Sequence, residues 1–271
     1  MASRGAPLRW VCVRRFSLLG LLLLLAAAVD ARPQRIVSMN PCTDAILVRV
    51  ADAAQIAAIS HWSHDARATS LPLAVANRFP AQFGSAEEVI ALRPDLVILS
   101  PHTPLATRTA LARLRVPMLA IGVPASVAES LQQIRAIADA AGFAARGAVL
   151  AGGIARAVAQ TPARPPVSAL IRMGSGTVPG AGTLADELLR LAGFANASSS
   201  FGLQTWDMLP VERLVTHAPA LLLTDRPKAQ HPVVARAGIR VADFPAWLLN
   251  CGGPTIPPAL ARLAQLRATL P

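Results

Sequence analysis

Tyrosine is absent from this chain of 271 residues, and lysine occurs once, at Lys228. Without tyrosine, no phenolate can serve as a ligand. The glycine-rich run GSGTVPGAG (Gly174–Gly182) lacks the Lys-Ser/Thr ending of a P-loop and the spacing of a dinucleotide fingerprint. It reads instead as backbone that turns or lies close against a bulky ligand. Ser100, His102 and Asp225 supply the residue types of a hydrolytic triad, but no G-x-S-x-G elbow or paired-carboxylate motif frames them. The chain is therefore expected to be no enzyme and to carry no cofactor, with a secreted α/β hydrolase as the alternative.

Long apolar runs are also missing beyond Leu18–Val29, a core too short for a membrane span. Arg4, Arg9, Arg14 and Arg15 precede it, and the small-residue end Val29-Asp30-Ala31 follows, which is the pattern of a cleaved secretory signal peptide over residues 1–31. Arg14-Arg15 before FSLL leaves both general and twin-arginine export open. Cys12 precedes the apolar core, the wrong place for a lipoprotein cysteine. The expected product is an exported, soluble mature chain over residues 32–271, long enough for one large domain or two lobes.

A formal charge of +11 invites a nucleic-acid reading, and it falls to +8 without the four leader arginines and Asp30. The excess is nearly all arginine and is scattered, with no basic run beyond the leader. Together with export this excludes nucleic acid as the expected partner.

Short apolar runs alternate with helical patterns, which predicts α/β layering on parallel strands. Strands are predicted near 36–39, 56–59, 95–100, 118–122, 167–172, 220–224 and 239–241. Helices are predicted near 42–50, 86–92, 105–114, 126–140, 144–160, 183–192, 210–217 and 258–268. The 144–160 segment, before the breaker TPARPP, would span roughly 26 Å and bridge two lobes, although Gly147, Gly152 and Gly153 weaken it and allow a kink. One motif occurs twice. EEVIALRPDLVIL from Glu87 and ERLVTHAPALLL from Glu212 place Glu87 with Glu212 and Pro94 with Pro219, each pair 125 positions apart. The same unit in two lobes explains that shift. The alternative is that both glutamates are acids favoured at helix starts by the macrodipole. Ser85 and Glu88 form a capping-box pattern, which leaves Glu87 without a capping task.

The segments RIVSMNPCTDAILVRVADAAQIAAIS (Arg35–Ser60), SAEEVIALRPDLVILS (Ser85–Ser100), GTLADELLRLAGFAN (Gly182–Asn196) and PVERLVTHAPALLLTD (Pro210–Asp225) together resemble the class III periplasmic substrate-binding proteins of ABC importers, which serve cobalamin, iron-siderophore and haem uptake. The resemblance implies two α/β lobes joined by a single rigid interdomain helix, with a ligand cleft between the lobes. The corresponding divisions are an N-terminal lobe at 32–142, a linking helix at 143–162 and a C-terminal lobe at 163–271. It implies a monomer that captures a large iron chelate of the siderophore type or a corrinoid of the cobalamin type and delivers it to an inner-membrane permease. Glu87 and Glu212 match the family's acidic positions that meet permease arginines. The missing tyrosine removes the phenolate that many haem-binding relatives use.

In such a fold the ligand meets loops at the carboxyl ends of strands. Trp62 and Trp206 fall where cobalamin-binding relatives put cleft aromatics, with core packing as the alternative, and Trp247 is a weaker candidate on a loop whose match slips by one residue. His61, His64 and His102 lie on two adjacent loops; the alternative function they raise is a zinc- or manganese-type transition-metal binding protein. Cys42 and Cys251 lie at the same cleft. A disulfide is the default in an oxidising compartment, but it would tie the lobes together and hinder ligand exchange. Two free thiols lining the site are therefore expected, with Cys42 at a helix N-terminus that lowers its pKa.

Overall fold

The structure is a computed structural model that describes residues 32–271, and the expected signal peptide lies outside the described residues. Pro33–Pro271 forms one compact unit. Its N-terminal lobe carries a five-stranded parallel sheet of β1 (Ile36–Ser38), β2 (Ile56–Ser60), β3 (Ala81–Gln82), β4 (Leu96–Leu99) and β5 (Met118–Ala120), in the order β3-β2-β1-β4-β5. The helices of this lobe are α1 (Pro41–Val50), α2 (Leu73–Ala76), α3 (Ala86–Ala91), α4 (Leu105–Arg113) and α5 (Val127–Ala140). Helix α6 (Ala144–Ala159) follows. The C-terminal lobe then adds β6 (Val167–Ile171), β7 (Thr177–Pro179), α7 (Leu184–Leu191), β8 (Phe194–Asn196), β9 (Trp206–Met208), β10 (Leu221–Thr224), α8 (Pro232–Arg236), β11 (Arg240–Asp243) and α9 (Ile256–Ala268). Its sheet has the parallel order β11-β10-β6-β8, and β7 and β9 form a separate antiparallel ribbon.

The repeated motif is structural. Moving β4 by 125 positions lands on β10, end for end. Each is flanked by its lobe's first strand on one side and its last on the other: β1 and β5 for β4, β6 and β11 for β10. The strands read as unbroken apolar runs because both faces are covered. Ile98 and Leu223 point toward one core while Val97 and Leu222 point away from it into smaller clusters on the outer faces.

That inner core is continuous between the lobes. Ile36, Ile46 and Ile134 of the first lobe belong to the same buried cluster as Ile171, Leu188, Phe244 and Leu260 of the second. Helix α6 runs without a break through its three glycines, spanning about 24 Å. Gly147 is where α6 crosses α5, and a Cβ there would collide with Ala138. The glycine that weakens the isolated helix thus permits the packing that holds it.

The segment after β11 crosses to the N-terminal lobe. Its 3₁₀ turn Gly253–Thr255 packs on α1, α5 and α6. Gly253 N donates to Ser130 Oγ at 2.6 Å, Asn250 Nδ2 to Arg67 O at 3.3 Å, and Ser70 Oγ to Trp247 O at 2.9 Å. A Cβ on Gly252 would lie 2.8 Å from Ser130 Oγ and 2.9 Å from Pro124, so only glycine allows this approach. Within the seam, Cys42 and Cys251 form a disulfide with Cα atoms 5.1 Å apart, joining positions 209 apart in sequence. The expectation of two free thiols is corrected here. It assumed lobes that must part, whereas the shared core and the buried seam already hold them together.

Two further expectations change. The predicted helix near 210–217 is a 3₁₀ turn, Val211–Val215, which starts after Pro210 with no side-chain cap. The short strands β3, β7, β8 and β9 and the single-turn helices α2 and α8 were not predicted.

Native, unreduced protein should titrate no thiol at Cys42 or Cys251. The double variant Cys42→Ser/Cys251→Ser should lose about 2–5 kcal/mol of stability, the range for a bridge closing a long loop. Denaturant unfolding with and without reductant checks both, since reductant should bring wild type to the variant's midpoint and leave the variant unmoved.

Candidate functional site

Two adjoining compartments open at the carboxyl ends of the strands, where ligands settle in open α/β sheets. The first, of about 300 Å³, lies between the lobes: Asn40, Cys42 and Gly122–Ala125 face Gly182–Ala185, Leu188, Thr205, Trp206 and Leu248–Gly252. The second, also about 300 Å³, belongs to the N-terminal lobe and is walled by Met39, Ser60–Trp62, Gln82–Gly84, Ser100 and His102–Pro104.

Local sequence explains each wall. Asn40 caps α1 by accepting from Cys42 N at 2.9 Å, with Pro41 at the first helical position, so the NPC turn ends β1 at the cleft. Ser60 Oγ accepts from Trp62 N and starts the 3₁₀ turn His61–His64. The GSGTVPGAG run supplies β7, and β9 pairs with it so that Pro179 stands opposite Trp206. This ribbon carries Trp206 to the first compartment. Trp62 and Trp206 are 51% and 47% exposed, which removes the core-packing alternative for both.

His61 is clamped in place. Its ring stacks on Phe83 with centroids 4.9 Å apart and sits 4.6 Å from Trp62. Its Nδ1 lies 3.2 Å from Gln82 O, a carbonyl that can only accept, so Nδ1 is the donor in this contact. Gln82 is itself anchored through Nε2 to Ser38 O at 2.8 Å.

The expected residues therefore divide. Cys42, Trp206 and Cys251 meet in the interlobe compartment, and His61, Trp62 and His102 meet in the other. His64 turns away, with Nδ1 3.2 Å from Asn77 Oδ1. Trp247 lies in a separate hollow with Ala66 and Thr69–Leu73. The three histidines do not converge, and among the described residues no group of three His, Cys, Asp or Glu side chains could hold a metal ion. The transition-metal alternative loses its ligand set. The triad types do not assemble either: Asp225 accepts from Gly174 N at 2.6 Å in the other lobe, and Ser100 Oγ accepts from the amide of His102.

One residue escaped sequence reasoning. Asp44, in the first turn of α1, is fully buried beneath the His61–His64 turn. Its Oδ2 accepts from Ser60 N at 3.0 Å and Ser63 Oγ at 2.6 Å, bracketing the two residues that present His61 and Trp62. Its Oδ1 is buried with no partner. Burial pushes this carboxyl up to about 7, against the opposing pull of the Ser38 hydroxyl, the Ser63 hydroxyl and the Ser60 amide. An acid in a first helical turn is commonplace, so nothing in the sequence marked it.

The family model for periplasmic binding proteins matches residues 36–236. The chain belongs to that family. It is a family of solute-binding components of ABC importers, which bind rather than transform their solutes, and membership implies a periplasmic location. No curated protein matches the chain. Among solved structures, the periplasmic haem-binding protein RhuT from Roseiflexus sp. RS-1 is 22% identical, covers 86% of this chain and 98% of its own, and gives a TM-score of 0.68. The periplasmic vitamin B12 binding protein BtuF of Vibrio cholerae is 16% identical, with 88% and 98% covered and a TM-score of 0.71. The haem-binding protein HutB of Vibrio cholerae is 16% identical, with 86% and 98% covered and the same TM-score. Likenesses at this identity establish the fold. Among the described residues no helix is long and apolar enough to cross a membrane.

Asp44 makes stability depend on pH. Its folded pKa of about 7 stands above the ordinary 3.8, so the folded state holds its proton where the unfolded chain has lost it. Stability from this group is complete below about pH 4, falls as pH rises toward 7 and is then constant, a change on the order of 4 kcal/mol. Asp44→Asn should flatten that slope, and denaturant unfolding across this pH range compares the two proteins directly.

Proposed function

We propose that the protein captures a large iron chelate of the siderophore type or a corrinoid of the cobalamin type and hands it to its permease through Glu87 and Glu212. The supporting observation is a pair of half-exposed indoles, Trp62 and Trp206, one on each lobe and one on each compartment of the cleft. An exposed indole offers a rigid apolar face to a large flat or multi-ring solute. Solved structures of similar fold include haem-binding and vitamin B12 binding proteins, and vitamin B12 is a corrinoid. In this reading a signal peptide over residues 1–31 is cleaved on export. The chain works as a monomer, with lobes at 32–142 and 163–271 about the linking helix at 143–162.

Glu87 and Glu212 are both exposed, ahead of the equivalent strands β4 and β10. The capping role belongs to a neighbour: Ser85 Oγ accepts from Glu88 N, and Glu88 Oε2 accepts from Phe83 N at 2.7 Å. Glu87 makes no hydrogen bond or ion pair among the described residues. Two carboxylates at equivalent places give permease arginines two anchors for bidentate, charge-assisted bonds, which set orientation more than affinity.

A ligand screen by tryptophan fluorescence should find a corrinoid or ferric chelate that quenches wild type. Trp62→Ala and Trp206→Ala should each weaken its binding by about 1–3 kcal/mol, the scale of one large apolar contact. Unchanged affinity in both variants removes the cleft assignment.

For docking, Glu87→Ala and Glu212→Ala should leave unfolding and ligand affinity as in wild type while reconstituted transport falls, most in the double variant. Transport that instead tracks a loss of roughly 0.3–1 kcal/mol in stability returns both residues to the helix-start role.

A further inference from the structure

We infer that the solute this cleft accepts is electroneutral: a metal complex that presents amide, hydroxyl or hydroxamate groups rather than free carboxylates or an anionic catecholate shell. The inference rests on the capture reading above and narrows its substrate class.

The chain holds 26 Lys and Arg residues and 15 Asp and Glu. Among the described residues, none of these lines either compartment. Charged side chains beside the walls bond to the protein itself, as Arg108 Nε does in donating to Thr103 O at 3.0 Å. Glu129 accepts from Ala125 N at 2.8 Å, and Glu187 accepts from Val127 N at 2.7 Å, so the backbone donors at that edge already face carboxylates. Arg67 is paired with Asp65 at 3.1 Å. On the C-terminal lobe, Arg172 Nε donates to Leu209 O at 2.9 Å, and Arg226 lies against Gly174. A carboxylate carried into these compartments would lose water and meet no lysine or arginine on their walls, and two acids stand close behind the interlobe wall. An ion desolvated without a partner is the costliest group to bury.

Neutral hydrogen-bonding groups are present instead. Asn40 uses its Oδ1 on Cys42 N, which leaves its amide donor, and Asn250 uses its Nδ2 on Arg67 O, which leaves its acceptor. Thr205 lies on the same compartment, and Ser100 and Thr103 lie on the other. A donor and an acceptor of carboxamide type match an amide periphery. Much of the remaining wall is apolar or aromatic, including Val123, Leu184, Leu188, Trp206, Trp62 and Phe83, which suits a macrocycle or chelate face.

The test measures equilibrium binding to the purified exported protein by tryptophan quenching, with four probes at low and high salt. Two are neutral, cyanocobalamin and a ferric trihydroxamate. Two are anionic, haemin and a ferric tris-catecholate. At least one neutral probe should bind ten-fold or more tightly than either anionic one, with affinity changing less than two-fold between salt conditions. Preference for cyanocobalamin assigns a corrinoid, and preference for the trihydroxamate assigns a hydroxamate chelate. A second arm uses Val123→Arg, an exposed position on the interlobe wall. It should raise haemin affinity at low salt several-fold. Haemin or the catecholate binding wild type more tightly than both neutral probes overturns neutrality while leaving the capture reading in place. Failure of all four to bind overturns both.

Discussion

Contact of Gly252 and Gly253 with Ser130 and Ile46 determines how far apart the two lobes stand. No side chain fits between them, so the C-terminal lobe's last loop lies directly on α1 and α5. The inner faces of both sheets can then share one core, and the Cys42–Cys251 bridge closes where the backbones already meet. The interlobe compartment is the space left over at the edge of this seam, walled by Cys42, Cys251 and Gly252. Its width is therefore a property of core packing. A site so held avoids an ordering cost on binding.

The first turns of α1 concentrate these demands. Asn40 caps the helix and lines the cleft, Cys42 bonds the other lobe, Asp44 carries the turn bearing His61 and Trp62, and Ile46 joins the shared core. Asp44 is the unfavourable member. A buried carboxyl with one oxygen unpartnered costs stability at neutral pH. Its return is local, since both donors that it orients flank the residues presented to the second compartment.

Much of this architecture was legible in the sequence because parallel strands covered on both faces leave continuous apolar runs, as LVIL and LLLT do in β4 and β10. The internal shift between Glu87 and Glu212 identified two strands with the same neighbours in two sheets. What escaped depended on direction in space. His61 and His64 are three apart on one 3₁₀ turn, yet one stacks on Phe83 in the cleft and the other faces Asn77. Trp247 sits on a cleft-side loop by sequence, but that loop is drawn across the seam, and its indole lands in a different hollow. The disulfide was misjudged for the same reason, because the distance between Cys42 and Cys251 is set by contacts of Gly252 that leave no pattern along the chain.

The arginine excess acquires a physical account from where the guanidinium groups end. With few acids to meet, many donate to backbone carbonyls. Arg35 reaches Leu92 O, Arg108 reaches Thr103 O, Arg146 reaches Val50 O and Arg262 reaches Asp243 O. Arg267, 4% exposed, binds Gly193 O and Pro165 O while holding the carbonyls of Leu270 and Pro271. These acceptors lie mainly in loops and at helix ends, where carbonyls have no partner in a helix or sheet ladder. A planar guanidinium with five donors closes two or three of them at once, which the single ammonium of lysine does less well. The positive charge is thus distributed over the loops and chain ends that hold the lobes in shape. Among the described residues the walls of the two compartments carry no Lys, Arg, Asp or Glu, so a strongly basic chain keeps its guanidinium groups off both walls.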